Sequence, residues 1–116
     1  MAHYTGSCQC GAVRFEADMD IKKVISCNCS RCRRLGSLLS GTPKDKFKLT
    51  SGEGALTTYK FNKHVIDHRF CKTCGIQTHA QGKGPNGVEM VMVNVRTLDG
   101  VDAAKFEVME YDGASK

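Results

Sequence analysis

Seven cysteines fall into three short groups: Cys8-Gln9-Cys10, Cys27-Asn28-Cys29-Ser30-Arg31-Cys32 and Cys71-Lys72-Thr73-Cys74. Thiolates spaced this closely can reach one metal ion, and the glycine after each pair, Gly11 and Gly75, permits the tight knuckle such ligation needs. Cys8, Cys10, Cys71 and Cys74 together supply the four sulfurs of a closed tetrahedral zinc site. Because roughly sixty residues separate the two pairs, a metal there removes loop-closure entropy from the unfolded chain, which is a structural role. Cys27, Cys29 and Cys32 have no eighth cysteine to complete a second set. Three protein ligands with one position left over is the arrangement of a catalytic zinc.

Spacing leaves other partitions open. Cys29 and Cys32 could join Cys71 and Cys74 in a zinc ribbon, and His68 or His79 could close the three-thiol site. Arg31, Arg33 and Arg34 surround the triple group, where guanidinium groups favour thiolates and attract a carboxylate-bearing ligand; the plainer reading is a solvated basic turn. His68 and Asp67 are the nearest candidates for moving a proton, and neither has a distinguishing motif.

The elements that must position these groups are mostly strands. Residues 11–17 alternate, with Val13, Phe15 and Ala17 on one face and Arg14 and Glu16 on the other. Residues 23–26 read as a second strand. Residues 47–50, the turn Ser51-Gly52-Glu53-Gly54 and residues 55–61 read as a hairpin. Residues 65–70 extend the sheet, and the Val-rich run 88–95 is a central strand. Residues 81–87 read as a turn, 106–111 as a last strand before a polar tail, and 30–39 as the one helical candidate, broken by Gly36.

A length of 116 residues favours one domain over residues 1–116, with five Phe, three Tyr and no Trp to fill its core. Seventeen Lys and Arg against twelve Asp and Glu give a charge of +5, too diffuse for a dedicated nucleic-acid stripe. No apolar run suits a membrane span, and the first residues lack the layout of a secretory signal, so a cytoplasmic address is expected. An odd cysteine count in that compartment argues for metal ligation over disulfides.

Residues 6–15, Gly-Ser-Cys-Gln-Cys-Gly-Ala-Val-Arg-Phe, then 27–33, Cys-Asn-Cys-Ser-Arg-Cys-Arg, then 70–75, Phe-Cys-Lys-Thr-Cys-Gly, resemble successive signatures of one family. It is the glutathione-dependent formaldehyde-activating enzyme family, which includes centromere protein V. Residues 56–62 and 93–99 are similar to it as well. The resemblance implies a mostly β fold of stacked antiparallel sheets, the β-tent, with a structural zinc on Cys8, Cys10, Cys71 and Cys74. It implies a catalytic zinc on Cys27, Cys29 and Cys32. It also implies a carbon–sulfur lyase activity that joins glutathione to formaldehyde as S-(hydroxymethyl)glutathione. This chain is shorter than the family's founding enzyme, so segments that hold glutathione there are expected to be trimmed. The alternative, by analogy with centromere protein V, is a non-enzymatic zinc module that contacts protein or nucleic acid through Arg31, Arg33, Arg34, Lys22, Lys23 and Lys44. A redox sensor built on the triple group ranks last.

Overall fold

The computed structural model describes residues 1–84 and 86–115. Among the described residues ten strands form two sheets. The smaller sheet holds β1 (Ala2–Ser7), β2 (Arg14–Met19) and β5 (Phe47–Ser51), in the order β1-β2-β5. The larger has seven strands: β3 (Lys23–Cys27), β4 (Leu39–Pro43), β6 (Leu56–Tyr59), β7 (Asp67–Cys71), β8 (Gln77–Lys83), β9 (Glu89–Asn94) and β10 (Glu107–Tyr111). Their spatial order is β10-β3-β4-β9-β8-β7-β6, which puts β9 at the centre as its Val-rich sequence requires.

Period-two alternation builds the core between the sheets. Phe15, Ala17 and Met19 point inward from β2 and meet Val91 and Val93 from β9, with Val24, Val95 and Leu98 completing the cluster. Phe47 of β5 stacks on Phe15 at 5.2 Å and reaches His79 of β8 at 4.5 Å, spanning the two layers. The Thr42 hydroxyl donates to the Asp18 carbonyl at 2.7 Å, a second tie between them.

The expected hairpin over 47–61 does not form. Its first arm, β5, pairs with β2 in the small sheet, while its second, β6, pairs with β7 in the large one. Gly52, at φ 91°, and a 3-10 turn at Glu53–Ala55 carry the chain across. A Gly-rich link marks a change of direction, and its local sequence does not say which sheet receives the next strand.

The helix expected over 30–39 shrinks to α1 (Cys32–Leu35), which Gly36 ends in the left-handed conformation at φ 74°. Residues from Leu39 then pair with β9 as β4. The turn expected over 81–87 begins later, because β8 runs to Lys83 and pairs with β9. Pro85, within that stretch, lies outside the described residues. β1 has no apolar alternation and is mostly exposed, so nothing marked it as a strand. The sheets are antiparallel except at one edge, where β10 runs parallel to β3.

Candidate metal centres and adjoining cavities

Two hairpin turns, one from each sheet, meet at the four-thiol cluster. Residues 8–13 link β1 to β2 and carry Cys8 and Cys10; residues 71–76 link β7 to β8 and carry Cys71 and Cys74. Both turns close on themselves, with Cys8 N–H donating to Val13 O at 3.1 Å and Cys71 N–H to Ile76 O at 3.0 Å. Gly11 at φ 82° and Gly75 at φ 80° supply the left-handed residue each knuckle needs. The four sulfurs lie within 4.8 Å of one another, with Cys10 Sγ 3.7 Å from both Cys8 Sγ and Cys71 Sγ.

The backbone treats these sulfurs as anions. Val13 N–H donates to Cys8 Sγ at 3.3 Å and Thr73 N–H to Cys71 Sγ at 3.4 Å. Burial opposes ionisation of Cys74, but backbone N–H groups of Cys10 and Ile76 outweigh it and hold the thiol down at about 6. The Cys74 N–H is the main cause of a lowered pKa at Cys71. At Cys10 the Ala12 N–H favours the thiolate, yet desolvation and neighbouring sulfurs push the group up to about 11. Like charges this close cannot all ionise without a cation among them. The donor set therefore fits a thiophilic metal ion.

Cys27, Cys29 and Cys32 form the second cluster, their sulfurs also within 4.8 Å of one another. Cys27 ends β3, Cys32 opens α1, and Cys32 N–H donates to Cys29 Sγ at 3.3 Å. Burial raises the Cys29 pKa, but the N–H groups of Cys32 and Arg31 win and lower it. Desolvation, together with the neighbouring thiols, lifts Cys32 to about 12. Among the described residues no fourth Cys, His, Asp or Glu joins this group. All three thiols line a cavity of about 470 Å³ whose other walls include Ile25, Leu39, Phe61, Ile66 and His68.

His68 is buried on that wall, and its Nδ1 has no hydrogen-bond partner. Burial, then the Arg31 charge, lowers its pKa and keeps the ring neutral. His79, the other candidate ligand, is bonded through Nδ1 to the Thr78 hydroxyl at 2.8 Å and belongs to neither cluster. Asp67 pairs with Lys60 at 3.2 Å and is not on the cavity wall.

The arginines separate. Arg31 Nε and Nη2 both donate to Gln77 Oε1, at 3.0 and 2.9 Å, and its guanidinium lies 4.9 Å from the centre of the Tyr59 ring. With Arg34, Ser30, Leu35, Tyr59 and Phe61 it lines an adjoining cavity of about 560 Å³. Arg33 is not on that wall. Of the basic residues that would make a nucleic-acid surface, Lys44 pairs with Glu89 at 3.1 Å and Lys23 with Glu107 at 3.9 Å, which breaks up the patch.

Sequence reasoning missed the segment after β10. Asn28 N–H donates to Tyr111 O at 3.1 Å, Asn28 Nδ2 to Asp112 Oδ1 at 3.1 Å, and Ala114 N–H to Asn28 Oδ1 at 2.9 Å. These bonds lay residues 111–114 across the triple cluster. A polar tail gave no signal of this, apart from Gly113 itself.

Fold and site define a two-sheet β protein with two cysteine clusters, each able to hold a metal ion. The chain belongs to the glutathione-dependent formaldehyde-activating enzyme family, whose sequence profile matches residues 3–111. It is 25% identical over 114 residues to a Schizosaccharomyces pombe protein described as an uncharacterized lyase, covering 92% of this chain and 77% of the other. It is also similar to the crystal structure of a Rhodobacter sphaeroides protein. The TM-score is 0.79 and the identity 32%, with 90% of this chain and 99% of that one covered. No helix among the described residues is long and apolar enough to cross a membrane.

Proposed function

We propose that the protein is a zinc-dependent carbon–sulfur lyase that adds a glutathione-type thiol to a small aldehyde, giving an S-(hydroxyalkyl) adduct such as S-(hydroxymethyl)glutathione. The observation that carries this is the contrast between the clusters. One is complete with four thiols in two closed turns, and the other offers three thiols on a cavity wall. Cys8, Cys10, Cys71 and Cys74 would hold a structural zinc, and Cys27, Cys29 and Cys32 a catalytic one. When bound there, zinc supplies a positive charge that favours the thiolate form of an incoming thiol.

The chain's own residues do the rest. Arg31 and Arg34 place positive charge in the cavity beside Ser30 and Tyr59, suited to a carboxylate of the thiol substrate. Arg31 is held by Gln77 and the Tyr59 ring, so it offers a fixed charge that needs no reordering. Phe61 walls both cavities, which brings a thiol in one and an aldehyde in the other within a side chain of each other.

Cys29→Ala tests the assignment. The variant should keep one zinc by native mass spectrometry and form the adduct from glutathione and formaldehyde no faster than buffer, measured by exchange NMR. Activity that survives the change would remove the triple cluster from catalysis.

A further inference from the structure

The cavity beside the triple cluster is built for more than formaldehyde. A molecule of that size is close to water, whose share of liquid volume is about 30 Å³, and it would leave most of the 470 Å³ unfilled. The volume lies in the range of pockets that bury whole organic ligands. The walls are mostly apolar: Ile25, Leu39, Phe61, Val65, Ile66 and Met92 face the space with the three thiols, and Asn62, Lys63, His68 and Tyr111 contribute the polar groups. Val65 and Ile66, between β6 and β7, are 70% and 45% exposed, two large apolar side chains at the surface with no core role. A peptide thiol with several charged groups would find one cationic side chain here, Lys63, and would desolvate its other charges against apolar walls. The two arginines, Arg31 and Arg34, sit on the other side of Phe61.

We propose that the aldehyde partner carries an apolar aliphatic chain, seated among Ile25, Leu39, Ile66 and Met92 with its carbonyl carbon toward Cys27, Cys29 and Cys32. The inference rests on the lyase reading above and names its substrate class. In the reaction the thiol's S–H bond breaks and the sulfur pair forms a C–S bond to the carbonyl carbon. The carbonyl π bond opens onto oxygen, which takes up the proton. The product is a thiohemiacetal, and nothing is oxidised or reduced. Each methylene buried contributes roughly fourfold to binding, so a six-carbon aldehyde should be preferred strongly.

The experiment uses the zinc-loaded protein with glutathione and either hexanal or propanal, and follows adduct formation by exchange NMR. Hexanal and propanal have carbonyls of equal reactivity and differ by three methylenes, so hexanal should exceed propanal in kcat/KM by at least about tenfold. Hexan-1-ol, which cannot react, should shift the methyl resonances of Ile25, Leu39 and Met92. Ile66→Asp, at a half-exposed position that leaves the core intact, should cut the hexanal-to-propanal ratio by roughly fivefold or more, and Val65→Asp should act in the same direction. Propanal turned over as well as hexanal overturns this inference while the lyase reading stands. Turnover of neither aldehyde overturns both.

Discussion

Buried side chains away from the thiols do chemistry of a different kind, on stability. His79 is 2% exposed and packs on Phe47, and burial, followed by the Arg69 charge, pushes its pKa down to about 4 from 6.5. Above pH 6.5 both folded and unfolded chains hold neutral imidazole. As the pH falls from 6.5 toward 4, the unfolded chain takes up a proton that the folded one refuses, so stability drops across that window by about 3 kcal/mol. His79→Phe keeps a ring and removes the titration. Urea midpoints at saturating metal should show a shallower decline for the variant between pH 6.5 and 4, since acid release of metal is common to both proteins. Equal slopes would mean that His79 is protonated in the fold. Arg31 is a contrasting case: the sequence offers it for substrate, whereas the fold also commits it to Gln77, which is 1% exposed and would otherwise bury an unpaired carbonyl oxygen.

At the scale of elements, the segment after β10 has a task its composition hides. A Cβ on Gly113 would stand 2.5 Å from Cys27 Sγ and 3.4 Å from Cys29 Cβ, so only glycine lets the backbone pass this close to the triple cluster. Gly113→Val should therefore displace either the tail or Cys27. Zinc affinity of the triple cluster, read by competition with a chromophoric chelator, should fall at least about tenfold, with the four-thiol cluster unaffected. Unchanged affinity would show that the tail merely lies over the cluster. What was legible in the sequence follows the range of each signal. The alternation Val13-Phe15-Ala17 and the Val-rich run of β9 report local burial, and both strands form, although β2 starts at Arg14 rather than residue 11 because residues 11–13 belong to the cysteine knuckle. The cysteine groups were legible because ligands of one metal must be spaced for it. Which sheet receives β6, the pairing of β10 with β3 and the fold-back of residues 111–114 depend on contacts distant in sequence, and no local period encodes them.

For the whole molecule, the two clusters occupy unequal positions. Cys8 and Cys71 are buried with Val13, and the turns that carry them belong to different sheets, so the four-thiol cluster fastens one layer to the other. Cys10 and Cys71 are 61 residues apart, and by analogy with a cross-link closing such a loop, a metal there removes about 4 kcal/mol of chain entropy from the unfolded state. The triple cluster spans six residues, whose closure removes far less, and it lies at one edge of the large sheet beside α1. Progressive chelation at neutral pH should then release the two ions with different consequences. Loss of metal from the triple cluster should leave the far-ultraviolet circular dichroism and the melting temperature nearly unchanged. Loss from the four-thiol cluster should unfold the chain or lower its melting temperature by more than about 10 °C, given that roughly 1 kcal/mol corresponds to 4–8 °C in a domain near this size. Cys8→Ser and Cys29→Ala separate the two events, the first reproducing the large loss and the second the small one. A Cys8→Ser protein as stable as the parent, with its second metal still bound, would mean that the layers are held by the Phe15, Phe47 and Val91 core alone.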